Sequence, residues 1–343
     1  MAVRVYLKQA WNLMKQNPLF STLYIVGTGI SIVMTMVIAI VYYVRLAPVY
    51  PETNRMRTLV VKSAKMTNDE STHSANISYA MLKDWFYSLE SAEVSTGVSG
   101  TSYARVTNDK EEIPTYARYT DENFFRVFPL VFLEGKPFTE ADRRSGIHNV
   151  VLTDSYAQQL FGTTKGVVGK NFLMDYTNVK VVGVVKSGSF LTPDSYAQVY
   201  LPYSCRDGYD DEGSHWALGG YRVYILMKES KSVTDVQDEV LELVRKFNVS
   251  DMGDGWKLDL VGQPELYWHS TFRLWSNVAV DWGRVIWMFV GIFMALLFVP
   301  AFNLSGMISA RMERQLPDLG IRKAFGASRR RLLVCLLYTS DAA

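Results

Sequence analysis

The chain has 343 residues, of which 36 are Lys or Arg and 34 are Asp or Glu, so its formal net charge is only +2. This near balance excludes the strongly basic character typical of nucleic-acid binders, and no nucleic acid is expected as a partner. Hydrophobic residues make up 48% of the chain. That content excludes disorder throughout, because it is enough to form a buried core.

The charged residues fall into three blocks that are separated by two uncharged runs. Residues 16–44 and 285–310 contain no Lys, Arg, Asp or Glu. A helix needs about 20 apolar residues to cross the hydrocarbon core of a bilayer, so each run is long enough. A helix of this length in a soluble protein usually carries charges on its outer face. The sequence therefore predicts transmembrane helices over residues 19–44 and 285–310.

Residues 1–18 contain three basic residues and no acidic one. Apolar residues recur there at helical spacing from Val3 to Met14, which predicts an amphipathic helix lying on the cytoplasmic membrane surface. A plain basic flank before the anchor is the alternative. A cleaved signal peptide is not expected, because the apolar run is about twice the usual length and ends at Arg45 rather than at a small-x-small site.

The distribution of basic residues predicts which blocks face the cytoplasm. Lys and Arg near membrane segments remain on the cytoplasmic side. Seven follow the second run, namely Arg311, Arg314, Arg322, Lys323, Arg329, Arg330 and Arg331. The bias is imperfect, since the central block also has basic residues near the membrane, namely Arg45, Arg55, Arg57, Arg273 and Arg284. The larger cluster predicts that both ends are cytoplasmic and that residues 45–284 lie outside.

The central block, residues 45–284, alternates helical and extended patterns and predicts a mixed α+β ectodomain of two lobes. Predicted strands lie at 58–63, 94–106, 113–119, 149–153, 179–185, 199–201, 221–227 and 256–261. Predicted helices lie at 78–89, at 155–161 with Asp154 as the cap, and at 233–247. The glycine-rich and acidic stretch 207–220 reads as a loop between the lobes.

The motifs that would indicate an enzyme do not occur in this sequence. There is no G-x-x-x-x-G-K-[ST] phosphate-binding loop, and the nearest stretch, around Gly169 and Lys170, lacks the first glycine and the hydroxyl. G-x-S-x-G and H-E-x-x-H are absent as well. The histidines are scattered, and the two cysteines, Cys205 and Cys335, fall in different blocks. We expect no catalytic residues, metal, cofactor or disulfide in this chain.

Residues 311–331 form a cytoplasmic coupling segment with an apolar side and basic edges. A short helix is expected to begin at Pro317-Asp318, to place Ile321, Ala324 and Phe325 on one face, and to end at Gly326. Such a helix is suited to docking in a groove of a partner protein. From the residues alone, basic side chains that only fix topology and contact anionic lipid are an equal alternative.

The stretch Leu319-Gly-Ile-Arg-Lys-Ala-Phe-Gly-Ala-Ser328 resembles the coupling-helix motif of FtsX-like/MacB-like permeases of ABC transporters. The central block resembles the MacB-like periplasmic core domain in its Phe124-Phe-Arg-Val-Phe128, Gly135 with Phe138, Val150-Val-Leu152, Ala157 with Leu160-Phe-Gly162, Gly169 and Val181-Val-Gly-Val-Val185. The order and spacing of these pieces extend the resemblance over almost the whole chain.

The resemblance implies a multi-pass permease of the bacterial inner membrane with its ectodomain in the periplasm. Such permeases form homodimers or heterodimers, each paired with a cytoplasmic ABC ATPase that binds the ATP, and some have a periplasmic adaptor. Closure of the ATPase dimer would be relayed through the lipid-embedded helices to the periplasmic domains. The residues implied to dock on the ATPase are Leu319, Gly320, Ile321, Arg322, Lys323, Ala324, Phe325 and Gly326.

Two features depart from the family pattern. Pro317-Asp318-Leu319 stands where the family usually has Glu-Ile, so the start of the docking helix is expected to shift. Residues 332–343 begin like a third membrane helix, but the seven apolar residues 332–338 cannot span a bilayer. The sequence therefore reads as C-terminally truncated, with a native sequence that becomes doubtful after about residue 337.

Two other function classes share parts of this layout. A membrane-anchored sensory receptor also has an ectodomain between two anchors, but it would continue into a heptad coiled coil, whereas Gly326-Ala-Ser328 interrupts any such repeat. A solute-binding surface protein would need one anchor and no coupling helix. The transported substrate, the adaptor and the choice between homodimer and heterodimer cannot be predicted from the sequence.

Overall fold

The computed structural model describes residues 15, 18–108, 111–206, 208–209, 216–250, 255–326 and 328. The chain divides into two compact units, one formed by Met1–Ile40 with Gly283–Ala343 and the other by Val41–Trp282. The amphipathic helix predicted for residues 1–18, apart from Lys15 and Pro18, and the third membrane segment predicted for residues 332–343 lie outside the described residues.

Two long helices account for the described part of the first unit. Helix α1 is Pro18–Leu46, and its portion Ile25–Leu46 has a mean hydropathy of 2.3, which is apolar and long enough to cross a membrane. Helix α7 is Trp282–Ala324, and Trp282–Phe298 is the apolar portion identified among its described residues. Within the described residues α1 alone meets the length and hydropathy criteria, so the second span at 285–310 stays a prediction.

Among the residues that the structure describes, the second unit contains fifteen strands and five further α-helices. The strands are β1 Thr58–Val61, β2 Ala64–Thr67, β3 Thr72–Ile77, β4 Ala92–Ser99, β5 Ser102–Asn108, β6 Glu111–Thr120, β7 Phe132–Gly135, β8 Asn149–Thr153, β9 Asn171–Met174, β10 Thr177–Val185, β11 Val199–Pro202, β12 Leu218–Gly219, β13 Tyr221–Met227, β14 Lys257–Asp259 and β15 Glu265–Leu266. The helices are α2 Tyr79–Asp84, α3 Phe124–Val127, α4 Glu140–Ser145, α5 Asp154–Phe161 and α6 Val233–Val249.

The strands pair in the order β11-β8-β10-β9-β5-β6-β4-β13-β3-β2-β14, while β1 joins both β13 and β15. Most neighbours are antiparallel, but β10 with β8 and β11 with β6 are parallel. One buried cluster lies between α2, α6 and β13, and a second surrounds the phenylalanines of α3. A third packs α5 against β8 and β10. The prediction of a mixed α+β ectodomain is confirmed.

Most of the predicted elements are present, with local differences. Ser78 caps α2, its hydroxyl accepting from Met81 N at 3.0 Å, as its position before the helical pattern predicts. Asp154 is the first residue of α5 rather than its cap, which is Thr153. The carboxylate of Asp154 instead accepts from Ser155 N and Ser187 N. The predicted interlobe loop 207–220 is partly outside the described residues and ends in β12.

Two glycines of the family-like pattern lie where two strands approach closely. Gly135 of β7 is paired with Gly183 of β10, and a Cβ on Gly135 would lie 2.1 Å from the carbonyl oxygen of Val182. Its φ of +70° also disfavours any side chain. Replacing Gly135 with Ala is therefore expected to lower the free energy of unfolding by at least about 2 kcal/mol.

Gly162 is a matched control for that substitution, since its φ is +69° but a Cβ there would meet no atom within 4 Å. Gly162→Ala should cost only the backbone strain, roughly 1 kcal/mol. Urea unfolding in detergent, followed by tryptophan fluorescence, measures both changes. Equal losses for the two variants would contradict the close approach at Gly135.

Candidate functional site

The predicted docking residues lie at the C-terminal end of α7. Residues 319–324 are helical, and the helix is closed by hydrogen bonds from Phe325 N to Ile321 O at 3.1 Å and from Gly326 N to Lys323 O at 3.0 Å. Gly326 has φ +81°, which is the left-handed conformation typical of a residue that ends a helix. The predicted helix end at Gly326 is confirmed.

The start of the predicted docking helix is wrong. Instead of a separate short helix beginning at Pro317, one helix runs from Trp282 through Pro317 to Ala324. A proline inside a helix removes one N–H donor and crowds the carbonyl group four residues earlier, at a cost of about 3 kcal/mol, but a long helix that is supported on both sides of it can continue. As a result, the docking residues are the last turns of the same helix whose first half is the apolar stretch Trp282–Phe298.

The apolar docking side chains are exposed. Phe325 is 88% exposed and Ile321 is 57% exposed, and a spacing of four residues places them on one side of the helix end. Gly320, Lys323 and Ala324 are exposed as well. A large aromatic ring in water at a helix end is costly unless a partner covers it, so this tip has the character of a contact surface.

A second candidate feature, which was not among the predicted site residues, lies just after α1. We call Glu52, Arg55, Ser195 and Tyr267 the juxtamembrane cluster. Arg55 pairs with Glu52, and its guanidinium also donates to the carbonyl oxygen of Val44, in the last turn of α1, at 2.9 Å. Glu52 in turn accepts from the hydroxyls of Ser195 at 2.7 Å and Tyr267 at 2.9 Å. The cluster thus joins the end of α1 to distant parts of the ectodomain.

The cluster is almost completely buried, which determines its electrostatics. Burial raises the pKa of Glu52, whereas the positive charge of Arg55 and the hydrogen bond from Ser195 oppose that rise. Arg55 also lies 5.1 Å from the centre of the Tyr267 ring, a cation–π contact. A cation at a helix C-terminus stabilises the exposed carbonyl groups there, so Arg55 serves both Glu52 and α1.

A neighbouring buried carboxylate is held by two cations. Asp194 is paired with Arg222 at 2.9 Å and with Lys62 at 3.5 Å. Burial by itself would raise the pKa of Asp194, but the positive charges of Lys62 and Arg222 outweigh it and hold the pKa below its ordinary value. Asp194 therefore stays ionised and fixes the segment that also carries Ser195.

Ion pairs give a structural role to three of the basic residues that make the predicted charge bias imperfect. Arg55 is paired with Glu52, and Arg57 with Glu93 at 2.8 Å and Glu229 at 3.0 Å. In the same way, the buried Arg273 is paired with Glu265 at 2.7 Å. These arginines are structural groups paired within the fold. They belong to the long block 45–284, and a block of this length can translocate largely regardless of its charge.

The sequence contained one signal for the juxtamembrane cluster. Glu52 and Arg55 are three residues apart immediately after an apolar span, where an ion pair is geometrically possible. Their burial could not be predicted, because Tyr267 lies 215 residues further along the chain.

The stretch around Gly169 and Lys170, the nearest match to a phosphate-binding loop, does not offer its backbone amides to a phosphate. Gly169 N donates to Val181 O and Lys170 N donates to Val167 O, so both amides are already used.

Residues 20–243, more than half of the chain, match the MacB-like periplasmic core domain family. The chain is 21% identical over 224 residues to the macrolide export ATP-binding/permease protein MacB of Escherichia coli O157:H7, covering 65% of this chain and 32% of that protein. It is 32% identical over 92 residues to the pyoverdine export ATP-binding/permease protein PvdT of Pseudomonas fluorescens, covering 26% and 14%. The chain thus spans about a third or less of the length of these relatives.

Among solved structures, the periplasmic region of MacB from Actinobacillus actinomycetemcomitans aligns with 58% of this chain and 88% of that chain. The sequence identity is 17% and the TM-score is 0.42.

Proposed function

Because this chain belongs to the MacB-like periplasmic core domain family of ABC transporter permeases, we propose that it is the membrane subunit of an exporter that converts ATP hydrolysis into movement of its periplasmic domain. In this proposal ATP is bound by a separate cytoplasmic ATPase. The observation that carries the proposal is the exposed apolar tip at Ile321 and Phe325. A membrane-anchored sensory receptor is not favoured by the family match.

The docking step is supported by the position of the tip at the end of a long helix. We propose that residues 319–326 seat in a groove of the ATPase, with Ile321, Ala324 and Phe325 facing the groove. Lys323 would make polar contacts at the edge of the groove. We give Arg322 the same role because it is next to Lys323 in the sequence. Movement of the ATPase would then displace α7 as a whole, because the docking residues and the apolar stretch share one helix.

The transmission step is supported by the juxtamembrane cluster. A force along α1 reaches Val44, and Arg55 joins that residue to Glu52 and hence to Ser195 and Tyr267. A buried ion pair that is held by several hydrogen bonds resists distortion better than a flexible linker. We propose that the end of α1 and the ectodomain core therefore move together when the ATPase opens and closes.

The membrane placement and the partners are proposed from the chain's membership of this family. We propose a multi-pass protein of the bacterial inner membrane, with spans at 19–44 and 285–310 and a two-lobed ectodomain in the periplasm. Two permeases, identical or different, would form a dimer with the ATPase, and a periplasmic adaptor is a further expected partner. The uncharged spans suit a relay that acts on substrates outside the bilayer rather than conduction through a polar pore.

Replacing Phe325 with Asp tests the docking step. The change puts a charge where the apolar ring would be buried, and it is expected to abolish co-purification with the ATPase from native membranes. Membrane insertion should be unchanged, because Phe325 lies beyond the apolar stretch of α7. Affinity purification of the tagged chain, with the ATPase quantified by mass spectrometry, provides the measurement.

Ser328→Asp is the matched control for this experiment. It adds the same charge two residues after Gly326, at another exposed position, without removing an apolar side chain. The control should retain at least half of the bound ATPase, a loss worth less than about 1 kcal/mol. Equal recovery of the ATPase with Phe325→Asp and with the unaltered chain would refute docking through this tip.

A further inference from the structure

Residues 274–280, which we call the 274–280 loop, connect a short 3-10 helix, His269–Phe272, to α7. Their sequence, Leu-Trp-Ser-Asn-Val-Ala-Val, contains no ionisable side chain. Trp275 is 71% exposed, Leu274 64% and Val278 48%. Three large apolar side chains within five residues are a costly surface to leave in water.

The backbone of the 274–280 loop is fixed by hydrogen bonds from buried groups. Arg273, which is itself buried and paired with Glu265, donates to the carbonyl oxygen of Val278. The hydroxyl of Ser63, beside β1, donates to the carbonyl oxygen of Ser276. The exposed side chains are therefore presented by an anchored loop rather than by a loose connection.

Aromatic rings connect the base of the loop with the end of α1. Tyr42 stacks on Phe272 with ring centroids 6.2 Å apart, and Phe272 lies 5.7 Å from Trp282, the first residue of α7. Tyr43, in the last turns of α1, is 66% exposed. Helix α1 ends and helix α7 begins at this point. In the proposed arrangement, these residues therefore mark the depth at which the chain enters the membrane.

We propose that the 274–280 loop inserts Leu274 and Trp275 into the boundary between lipid headgroups and acyl chains of the outer leaflet. Trp and Tyr are concentrated at this depth because their rings have an apolar body and a polar edge. The exposed rings of Trp275, Trp282 and Tyr43 fit such a belt, and the absence of charge in the loop lowers the cost of insertion. The inference rests on the proposed membrane placement of α1 and α7.

A spin label attached at position 275 tests the proposal in the full chain. Cys205 and Cys335 are first replaced by Ala, and Trp275→Cys is labelled and reconstituted in phosphatidylethanolamine/phosphatidylglycerol vesicles. Collision rates with oxygen and with a water-soluble nickel chelate are then measured. Leu274→Cys provides a second label site, and circular dichroism checks that each variant is folded.

Two reference positions calibrate the result. Met36→Cys, in the middle of α1, reports lipid, and Tyr176→Cys, at the exposed turn between β9 and β10, reports water. The ratio of oxygen to chelate collisions at 275 should be at least about twice that at 176. A ratio at 275 equal to that at 176 would overturn the proposal. It would also be overturned if neither oxygen nor the chelate reached the label at 275, because that result indicates contact with protein. A water-like signal at Met36 would instead overturn the membrane placement of α1, and with it the proposed function.

Discussion

Replacing Glu52 with Ala is expected to lower the free energy of unfolding by about 3–5 kcal/mol, which is typical of removing one partner from a buried ion pair. The loss has three sources. Arg55 keeps its charge in a buried position without its partner, and the hydroxyls of Ser195 and Tyr267 lose their acceptor. Each of these groups would need water that the packed site does not admit.

Urea unfolding of the chain in detergent, followed by tryptophan fluorescence, measures this change. Glu229→Ala is the matched control, since Glu229 also pairs with an arginine, Arg57, but is largely exposed. The control should cost less than about 1 kcal/mol. Replacing Glu52 and Arg55 together with Met should recover much of the loss, because no charge is then left buried alone. Similar losses for Glu52→Ala and Glu229→Ala would contradict the assigned role of the cluster.

The stability of the protein is expected to fall by about 2 kcal/mol between pH 4 and pH 6.5 through Asp121 alone, at about 1.4 kcal/mol per pKa unit over the part of the shift that lies in this window. Asp121 is fully buried, and burial raises its pKa to about 6, although hydrogen bonds from Thr96, Tyr87 and Gly97 oppose the rise. The unfolded chain loses this proton near pH 3.8, whereas the folded protein keeps it until about pH 6. Between these values the folded state binds more protons, so stability decreases as the pH rises.

Comparing the unaltered chain with Asp121→Asn isolates this contribution. The variant does not titrate, so its unfolding free energy should change less with pH over the same window, and the difference between the two curves is the quantity predicted. Glu52 has a raised pKa and contributes with the same sign, but it is present in both proteins. Asp194 changes the unfolding free energy in the opposite direction and at lower pH, because its pKa is lowered. Parallel curves for the two proteins would show that Asp121 titrates normally.

Elements with a strong local pattern could be predicted from the sequence. In α6 the buried residues Val236, Val240, Val244 and Phe247 recur at helical spacing, and the predicted helix is present. Strands β8, β10 and β13 are short apolar runs bounded by turns, and all three are found. These elements depend mainly on residues that are close in sequence.

What could not be predicted depends on distant partners. Strand β3 is mostly polar in sequence and β2 is half polar, and they form because β2 pairs with both β3 and β14, which lies almost 200 residues away. Arg55 also depends on a distant partner. In the sequence it has the position of a juxtamembrane surface charge, but in the structure it is buried against Glu52 and Tyr267. For the docking tip, the residues were identified by family resemblance, but the helix start at Pro317 was wrong because support from the rest of α7 outweighs the local effect of proline.

The pairing of β1 with β13 and β15 has a consequence for biogenesis. In the proposed topology residues 58–61 leave the membrane first, yet their partners at 221–227 and 265–266 are synthesised some 160 to 200 residues later. The sheet therefore cannot close until nearly the whole ectodomain has been translocated. Until then β1 presents unpaired edges and an apolar surface to the periplasm, so export of this chain should depend on holding chaperones more than its modest size suggests.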